Sequence, residues 1–187
     1  MIIFMEHQAP VVATVLIYAA RMIELATKRR TVPGERQESL TLKLFILCGV
    51  IMAAGGIGEY YLRDLQFWWP TFFGGLAISI AAFAIRWSAI RALGRFWSLH
   101  VEMREGHEFI RSGPFERVRH PAYLSMILEH VGIAVLLGSW IAFSITMLVF
   151  VPTLRARLMR EEAALIRKFG PAYEEYRAAT PAILPFR

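Results

Sequence analysis

Apolar runs separated by short polar segments set the plan of this chain. The first runs from Ala9 to Leu25 and is closed by Lys28-Arg29-Arg30. With its flanks it reaches the length of about 20 residues that a helix needs to cross a bilayer. The second, Leu42 to Tyr61, carries Gly49, Gly55, Gly56 and Gly58. Small residues at such spacing predict close helix approach in lipid. The third begins at Phe67-Trp68-Trp69-Pro70 and continues to about Leu93. Its tryptophans suit a membrane interface and its proline suits a first helical turn. Two shorter runs, Pro121 to Leu137 and Trp140 to Pro152, are joined by Gly138-Ser139 and predict a tight helical hairpin. From Arg155 the pattern changes to a charge-studded helix that ends at Gly170-Pro171, followed by a last short helix holding Tyr173 and Tyr176.

The basic residues give an orientation. Five (Lys28, Arg29, Arg30, Arg36 and Lys43) follow the first run, and others fill Arg91 to Arg119 and the tail from Arg155. The link after the second run holds only Arg63, and the hairpin turn holds none. With five spans all the basic segments fall on one side, expected to be cytoplasmic, with the N-terminus outside. The 187 residues are 56% hydrophobic with a net charge of +6. Confinement of that charge to loops between apolar runs argues for a membrane protein and against a nucleic-acid partner. No basic segment precedes the first run, so a retained anchor is expected rather than a cleaved signal. The single cysteine, Cys48, lies inside an apolar run and is expected to be buried.

The longest polar segment, Gly106 to Tyr123, has the ingredients of a small-molecule clamp. Gly113-Pro114 predicts a turn that exposes backbone donors. Pro121 suits the first turn of the hairpin helix, whose free N–H groups then point at the site. His120 and Tyr123 are three apart and share a face of that turn. For Arg104 and Arg117 contact with anionic headgroups is the simpler reading.

Other chemistries fit less well. His100, His107 and His120 match no compact metal-ligand spacing, so no metal site is expected. Ser112 has no evident base beside it. Gly55-Gly56-Ile57-Gly58 lies within a span and reads as packing rather than as a phosphate loop.

Arg157 lies four residues before Glu161 on the tail helix, so the two share a face. Such a pair can hold a substrate carboxylate with one member and a cofactor amine or hydroxyl with the other. Arg86, Glu129 and His130 fall inside apolar runs, where charge is costly, and should face inward; Arg86 is matched to Glu129. His130 shares a face with Tyr123, Met126 and Ile127, which places His130 and Met126 beside a path for a lipid substrate.

These residues resemble the isoprenylcysteine carboxyl methyltransferases and related membrane phospholipid methyltransferases. The resemblance rests on His107-Glu108-Phe109-Ile110, Ser112-Gly113-Pro114-Phe115 and Arg119-His120-Pro121-Ala122-Tyr123. A second block holds Arg157, Glu161-Glu162, Leu165, Phe169-Gly170, Tyr173 and Tyr176, with Pro185 at its end. The match covers roughly Leu93 to the C-terminus, and the earlier spans match only as hydrophobic helices. The resemblance implies S-adenosylmethionine as methyl donor, held in a cytosolic pocket closed by C-terminal helices. It places His107, Glu108, Phe109, Ile110, His120, Pro121, Ala122, Tyr123 and Glu161 at the cofactor, and His100 near it. Phe115 stands where the family usually has tyrosine, keeping a ring without its hydroxyl. Arg157 falls where the family places a substrate-carboxylate contact.

The expectation is an all-α integral membrane protein of about five transmembrane helices, the last two a hairpin, with a cytosolic C-terminal helical cap. Residues 1–93 are expected to form a three-helix anchor and residues 94–187 the methyltransferase core, within one structural domain. The expected activity is O-methylation of a carboxylate of isoprenylcysteine type on a lipophilic acceptor drawn from the membrane. N-methylation of a phospholipid headgroup is the alternative chemistry. A non-catalytic module binding anionic lipid is the alternative of another class.

Overall fold

The computed structural model describes residues 2–27, 34–38, 40–97, 101–104 and 110–184. It is a helical bundle of seven α-helices among the described residues, with one small antiparallel ribbon beside it. Helix α1 (Ile2–Ala26), α2 (Leu40–Leu62) and α3 (Trp69–Leu93) come first, then α4 (Pro121–Leu137). After a turn come α5 (Trp140–Ile145), a π-helical turn (Thr146–Phe150) and α6 (Val151–Phe169), and finally α7 (Pro171–Ala179). Strands β1 (Gly34–Glu38) and β2 (Val101–Arg104) pair between α1 and α2 on one side and after α3 on the other.

Among the described residues four helical stretches are long and apolar enough to cross a membrane: His7–Ala26, Leu40–Leu62, Trp69–Phe96 and Trp140–Phe169. The shorter α4 completes the bundle. Large apolar side chains such as Leu16, Ile23, Val50, Phe73, Ile80 and Leu148 face outward, as lipid solvates them. The chain is therefore an integral membrane protein.

The hairpin differs from its sequence pattern in one respect. Its second arm does not end at Pro152; it continues as one helical stretch to Phe169. Proline at the start of α6 breaks no required bond, because the wider π-helical turn before it has already shifted the backbone ladder. That turn also directs the fully buried Phe150 toward Phe45 and His130. The membrane arm and the charged part of α6 are thus one continuous helical stretch.

The turn between the arms is as the sequence predicts. Gly138 adopts a left-handed conformation at φ 61° and its N–H closes on Ala134 and Val135. Ser139 caps α5 by accepting from the Ala142 N–H at 3.0 Å. Glu59 of α2 clasps the same end, accepting from the Ser139 hydroxyl at 2.5 Å and the Ile141 N–H at 2.8 Å.

The tightest helix crossing lies elsewhere than the glycine-rich second run suggests. It joins α3 to α4 at Gly75 and Gly132. A Cβ on Gly75 would stand 2.5 Å from the Gly132 carbonyl oxygen, and one on Gly132 would stand 2.5 Å from Ser79 Oγ. Gly58, by contrast, has nothing within 4 Å of that position.

Two apolar clusters fill the bundle. One, around Met52, Ile133 and Leu137, lies behind the hairpin turn. The other gathers Phe45, Cys48, Tyr123, Phe150, Leu154 and Leu158 from α2, α4 and the long second arm. The second cluster sits directly below the polar residues described next, and Cys48 is buried in it as expected.

Candidate functional site

Helix α4 begins where the polar segment meets the membrane. Pro121 occupies its first turn, and His120 precedes it as the N-cap. The rings of His120 and Tyr123 stack nearly parallel, 5.4 Å apart and 11° inclined. The shared face predicted from their spacing is therefore formed.

Helix α6 brings the second half. The Tyr123 hydroxyl accepts from Arg157 Nε at 3.0 Å and donates to the Glu161 carboxylate Oε2. A phenol has one proton to give and lone pairs to accept with, so it serves both partners at once. Arg157 is 4% exposed, lies over the Phe45 ring at 5.5 Å and donates from Nη1 to Thr41 Oγ1 at 3.0 Å. Glu161 is only half-buried. Its Oε1 has no protein donor among the described residues.

The neighbouring carboxylate has a different fate. Glu162 is 6% exposed and accepts on Oε1 from Arg119 Nε at 2.8 Å, Arg119 Nη2 at 2.6 Å and His120 Nε2 at 3.2 Å. Arg177 stands 3.3 Å from its other oxygen. Arg119 also donates from Nη1 to the carbonyls of Arg177, at 2.9 Å, and Thr180. Glu162 and Arg119 thereby lock α4, α6 and the C-terminal arm together. Neighbours in sequence, Glu161 and Glu162 point about 100° apart around the helix, which separates an open carboxylate from a fully occupied one.

The C-terminal arm closes over this junction. The N–H groups of Arg119 and His120 donate to the carbonyls of Pro181 and Ala182, both at 2.9 Å. The sequence suggested free donors pointing at a ligand around this helix start. The two N–H groups just ahead of the helix are taken by the arm. Ala182 and Ile183 pack onto the apolar cluster below. Phe115 is buried, and its carbonyl accepts from the Tyr176 hydroxyl at 2.6 Å. Burial pushes the Tyr176 phenol up to about 12, against the opposing pull of Arg119 and Arg111. The Tyr173 phenol is raised in the same direction, by burial and then by Glu162.

Of the residues singled out in the sequence, His120, Pro121, Ala122, Tyr123, Arg157 and Glu161 meet at the α4–α6 junction. Ile110 is half-buried at the start of the described segment, and Phe115 lies under α7. His100, His107, Glu108 and Phe109 lie outside the described residues. Deeper in α4, His130 donates from Nδ1 to the Met126 carbonyl at 2.9 Å and stacks on Phe150 at 4.0 Å. Its Nε2 is buried without a partner among the described residues.

Arg86 and Glu129 form the predicted ion pair, and the pair belongs to a larger network. Arg86 Nη1 stands 3.3 Å from Glu24, which pairs with Arg21 at 2.9 Å. Sequence reasoning did not reach Thr41, which is 116 residues from its partner Arg157 and has no local signal. It also missed the role of Glu162, although the pair Glu161-Glu162 was visible.

A sequence model of the isoprenylcysteine carboxyl methyltransferase family matches residues 75–167. The chain is 32% identical over 126 residues to protein-S-isoprenylcysteine O-methyltransferase B of Arabidopsis thaliana, covering 65% of this chain and 62% of that protein. It is 31% identical over 103 residues to protein-S-isoprenylcysteine O-methyltransferase of Schizosaccharomyces pombe, covering 54% and 44%. A probable protein-S-isoprenylcysteine O-methyltransferase of Oryza sativa subsp. indica is 30% identical over 128 residues, covering 66% and 65%. The match thus spans between about two fifths and two thirds of the length of these relatives. The matched segment holds the α3–α4 crossing, His120 to Tyr123, Arg157 and Glu161. Through residues 75–167 the chain belongs to the isoprenylcysteine carboxyl methyltransferase family.

Proposed function

We propose that this protein is an S-adenosylmethionine-dependent methyltransferase that esterifies a carboxylate on a lipophilic acceptor, of the isoprenylcysteine type its relatives are named for. The observation that carries the reading is the Tyr123 hydroxyl joining Arg157 to Glu161 at the top of an apolar cluster. A cation for an acidic acceptor and a carboxylate for a polar cofactor are held side by side, where water meets lipid.

The residues suit the cofactor. Glu161 offers an oxygen without a protein donor among the described residues, matched to a ligand rich in hydroxyl, ammonium and sulfonium groups. His120 and Tyr123 offer flat stacked rings beside it. His120, Pro121, Ala122, Tyr123 and Glu161 would hold the methyl donor, with Phe115 and Ile110 at its border. His100, His107, Glu108 and Phe109 join them on the family resemblance. When bound, S-adenosylmethionine would supply a methyl group on sulfonium for transfer to the acceptor oxygen, with the thioether as leaving group.

A carboxylate is already a nucleophile, so no side chain has to take a proton. Arg157 orients the acceptor and is itself held in place by Tyr123 and Thr41. Positioning of this kind supplies much of the acceleration of a displacement between two bound reactants. The C-terminal arm, fastened by Arg119 and Glu162, covers the start of α4 beside the junction. Met126 and His130 border the path by which the acceptor's hydrocarbon enters from the bilayer. The clustering of Lys and Arg in the segments after the first, third and last spans supports a cytoplasmic site with the N-terminus outside.

The test is incubation of the detergent-solubilised protein with labelled methyl donor and three acceptor classes: S-prenylated cysteine, free isoprenoid carboxylic acid and phospholipid amine. Base-labile label in a carboxylate acceptor is expected, since methyl esters hydrolyse and N-methyl groups do not. Base-stable label in the amine overturns the carboxylate assignment. Absence of saturable S-adenosylmethionine binding overturns the methyltransferase reading.

A further inference from the structure

Behind the first turn of α4, on the side away from Glu161, lies a chain of hydrogen bonds that the reaction does not use. Arg86 of α3 is 1% exposed, and its three nitrogens are divided among three partners. Nη2 pairs with Glu129, Nη1 stands 3.3 Å from Glu24, and Nε donates to Ser125 Oγ at 3.1 Å. Ser125 is fully buried and passes its own proton to the Ala122 carbonyl at 2.6 Å. A guanidinium fixed to carboxylates on two helices therefore ends in a hydroxyl gripping the backbone between His120 and Tyr123.

We infer that Ser125 and Arg86 are positioning residues that set the first turn of α4, and with it the rings and backbone that receive the methyl donor. The inference rests on the reading that His120 to Tyr123 hold S-adenosylmethionine. The geometry supplies three reasons. The Arg86 fork is rigid and its two carboxylate partners leave it no freedom to turn, so the direction of Nε is fixed. Ser125 can accept from Arg86 and donate to Ala122 together, as a hydroxyl does. The α3–α4 crossing at Gly75 and Gly132 brings the two helices close enough for the bond to form. A serine hydroxyl that returns to its own helix backbone usually bends that helix slightly. Ser125 makes this bond three residues back, in the turn where the site begins.

The experiment measures the dissociation constant of S-adenosylmethionine by calorimetry, with thermal melting of each protein in the same detergent. Ser125→Ala keeps the charge network of Arg86 with Glu24 and Glu129 and removes only the hydroxyl. The dissociation constant is expected to rise about 3- to 10-fold, the size of one lost hydrogen bond. Arg86→Lys, which keeps the charge and loses the fork, should weaken binding at least as much. Glu59→Gln loosens the α2–α5 contact behind the hairpin turn and serves as the destabilised control, with unchanged affinity expected. If Ser125→Ala does not fold, Ser125→Cys keeps the volume with a far weaker donor and carries the same expectation. Affinity within twofold of wild type in the serine variants, or an equal loss in Glu59→Gln, overturns the positioning role while leaving the methyltransferase reading intact. Wild-type protein that binds no S-adenosylmethionine overturns that reading, and this inference with it.

Discussion

The Tyr123 hydroxyl receives Arg157 Nε at 3.0 Å while its own proton goes to Glu161. One oxygen on α4 thus sets two charged groups on α6 that stand one helical turn apart. Tyr123→Phe removes that oxygen, keeps the ring stacked on His120, and leaves Arg157 and Glu161 without their shared partner. Methyl transfer, as kcat/KM, should fall about 10- to 100-fold, and the buried Arg157 donor that loses its acceptor should also cost about 1–3 kcal/mol of stability, read as a fall in melting temperature. Activity within twofold of wild type would remove Tyr123 from the site.

Glu162 has four nitrogens within 3.3 Å and no room for a ligand. Glu162→Gln should therefore act on the fold before the chemistry. A loss of about 1–3 kcal/mol is expected, since one charged acceptor gives way to a neutral amide. The C-terminal arm should also become the first site of limited proteolysis. Equal cleavage in variant and wild type would show that the arm is fastened by other contacts.

The α3–α4 crossing has no space for a methyl group. Gly75→Ala meets backbone at 2.5 Å, so the helices must part, at a cost of about 1–3 kcal/mol. Gly58→Ala meets nothing and should be neutral or slightly stabilising, since alanine favours helix. Thermal melting of the two variants separates the crossing glycine from one that only looks like packing in the sequence.

Alkaline pH should loosen the cap. Tyr176 is pushed up to about 12, whereas its ordinary value is 10.0, so the folded state prefers the protonated phenol. That preference contributes fully below pH 10 and is lost as pH rises through about 12, because the unfolded chain ionises first. Tyr176→Phe should be less stable at neutral pH, lacking the bond to the Phe115 carbonyl, and should lose part of the alkaline decline. Parallel melting curves across pH 9 to 12 for both proteins would refute the assignment.

Met126→Trp should narrow the path for hydrocarbon beside the apolar cluster. Turnover of a long-chain acceptor is expected to fall at least about fivefold through misplacement of the acceptor, while S-adenosylmethionine affinity is kept if the proposed lipid path is separate from the cofactor contacts. Loss of both would mean that the helix had been displaced.

Much of this arrangement was legible in the order of residues, because lipid imposes strong local rules. Membrane-length apolar runs, the Gly138-Ser139 turn, and Pro121 at a helix start each follow from backbone chemistry within a few residues. So does the shared face of His120 and Tyr123, which the helical period alone dictates. The inward pairing of Arg86 with Glu129 follows from the cost of charge in hydrocarbon. Tertiary structure alone decided what depends on the rotation and crossing of helices distant in sequence. It put the closest approach at Gly75 and Gly132, seated Gly55 and Gly56 against α5 and Leu137, left Gly58 open, and brought Thr41 to Arg157. It made Glu162 a fastening and left Glu161 open, two identical side chains on successive positions. It covered the start of α4 with the C-terminal arm. A sequence states which groups need partners; only packing in three dimensions decides which partner each one meets.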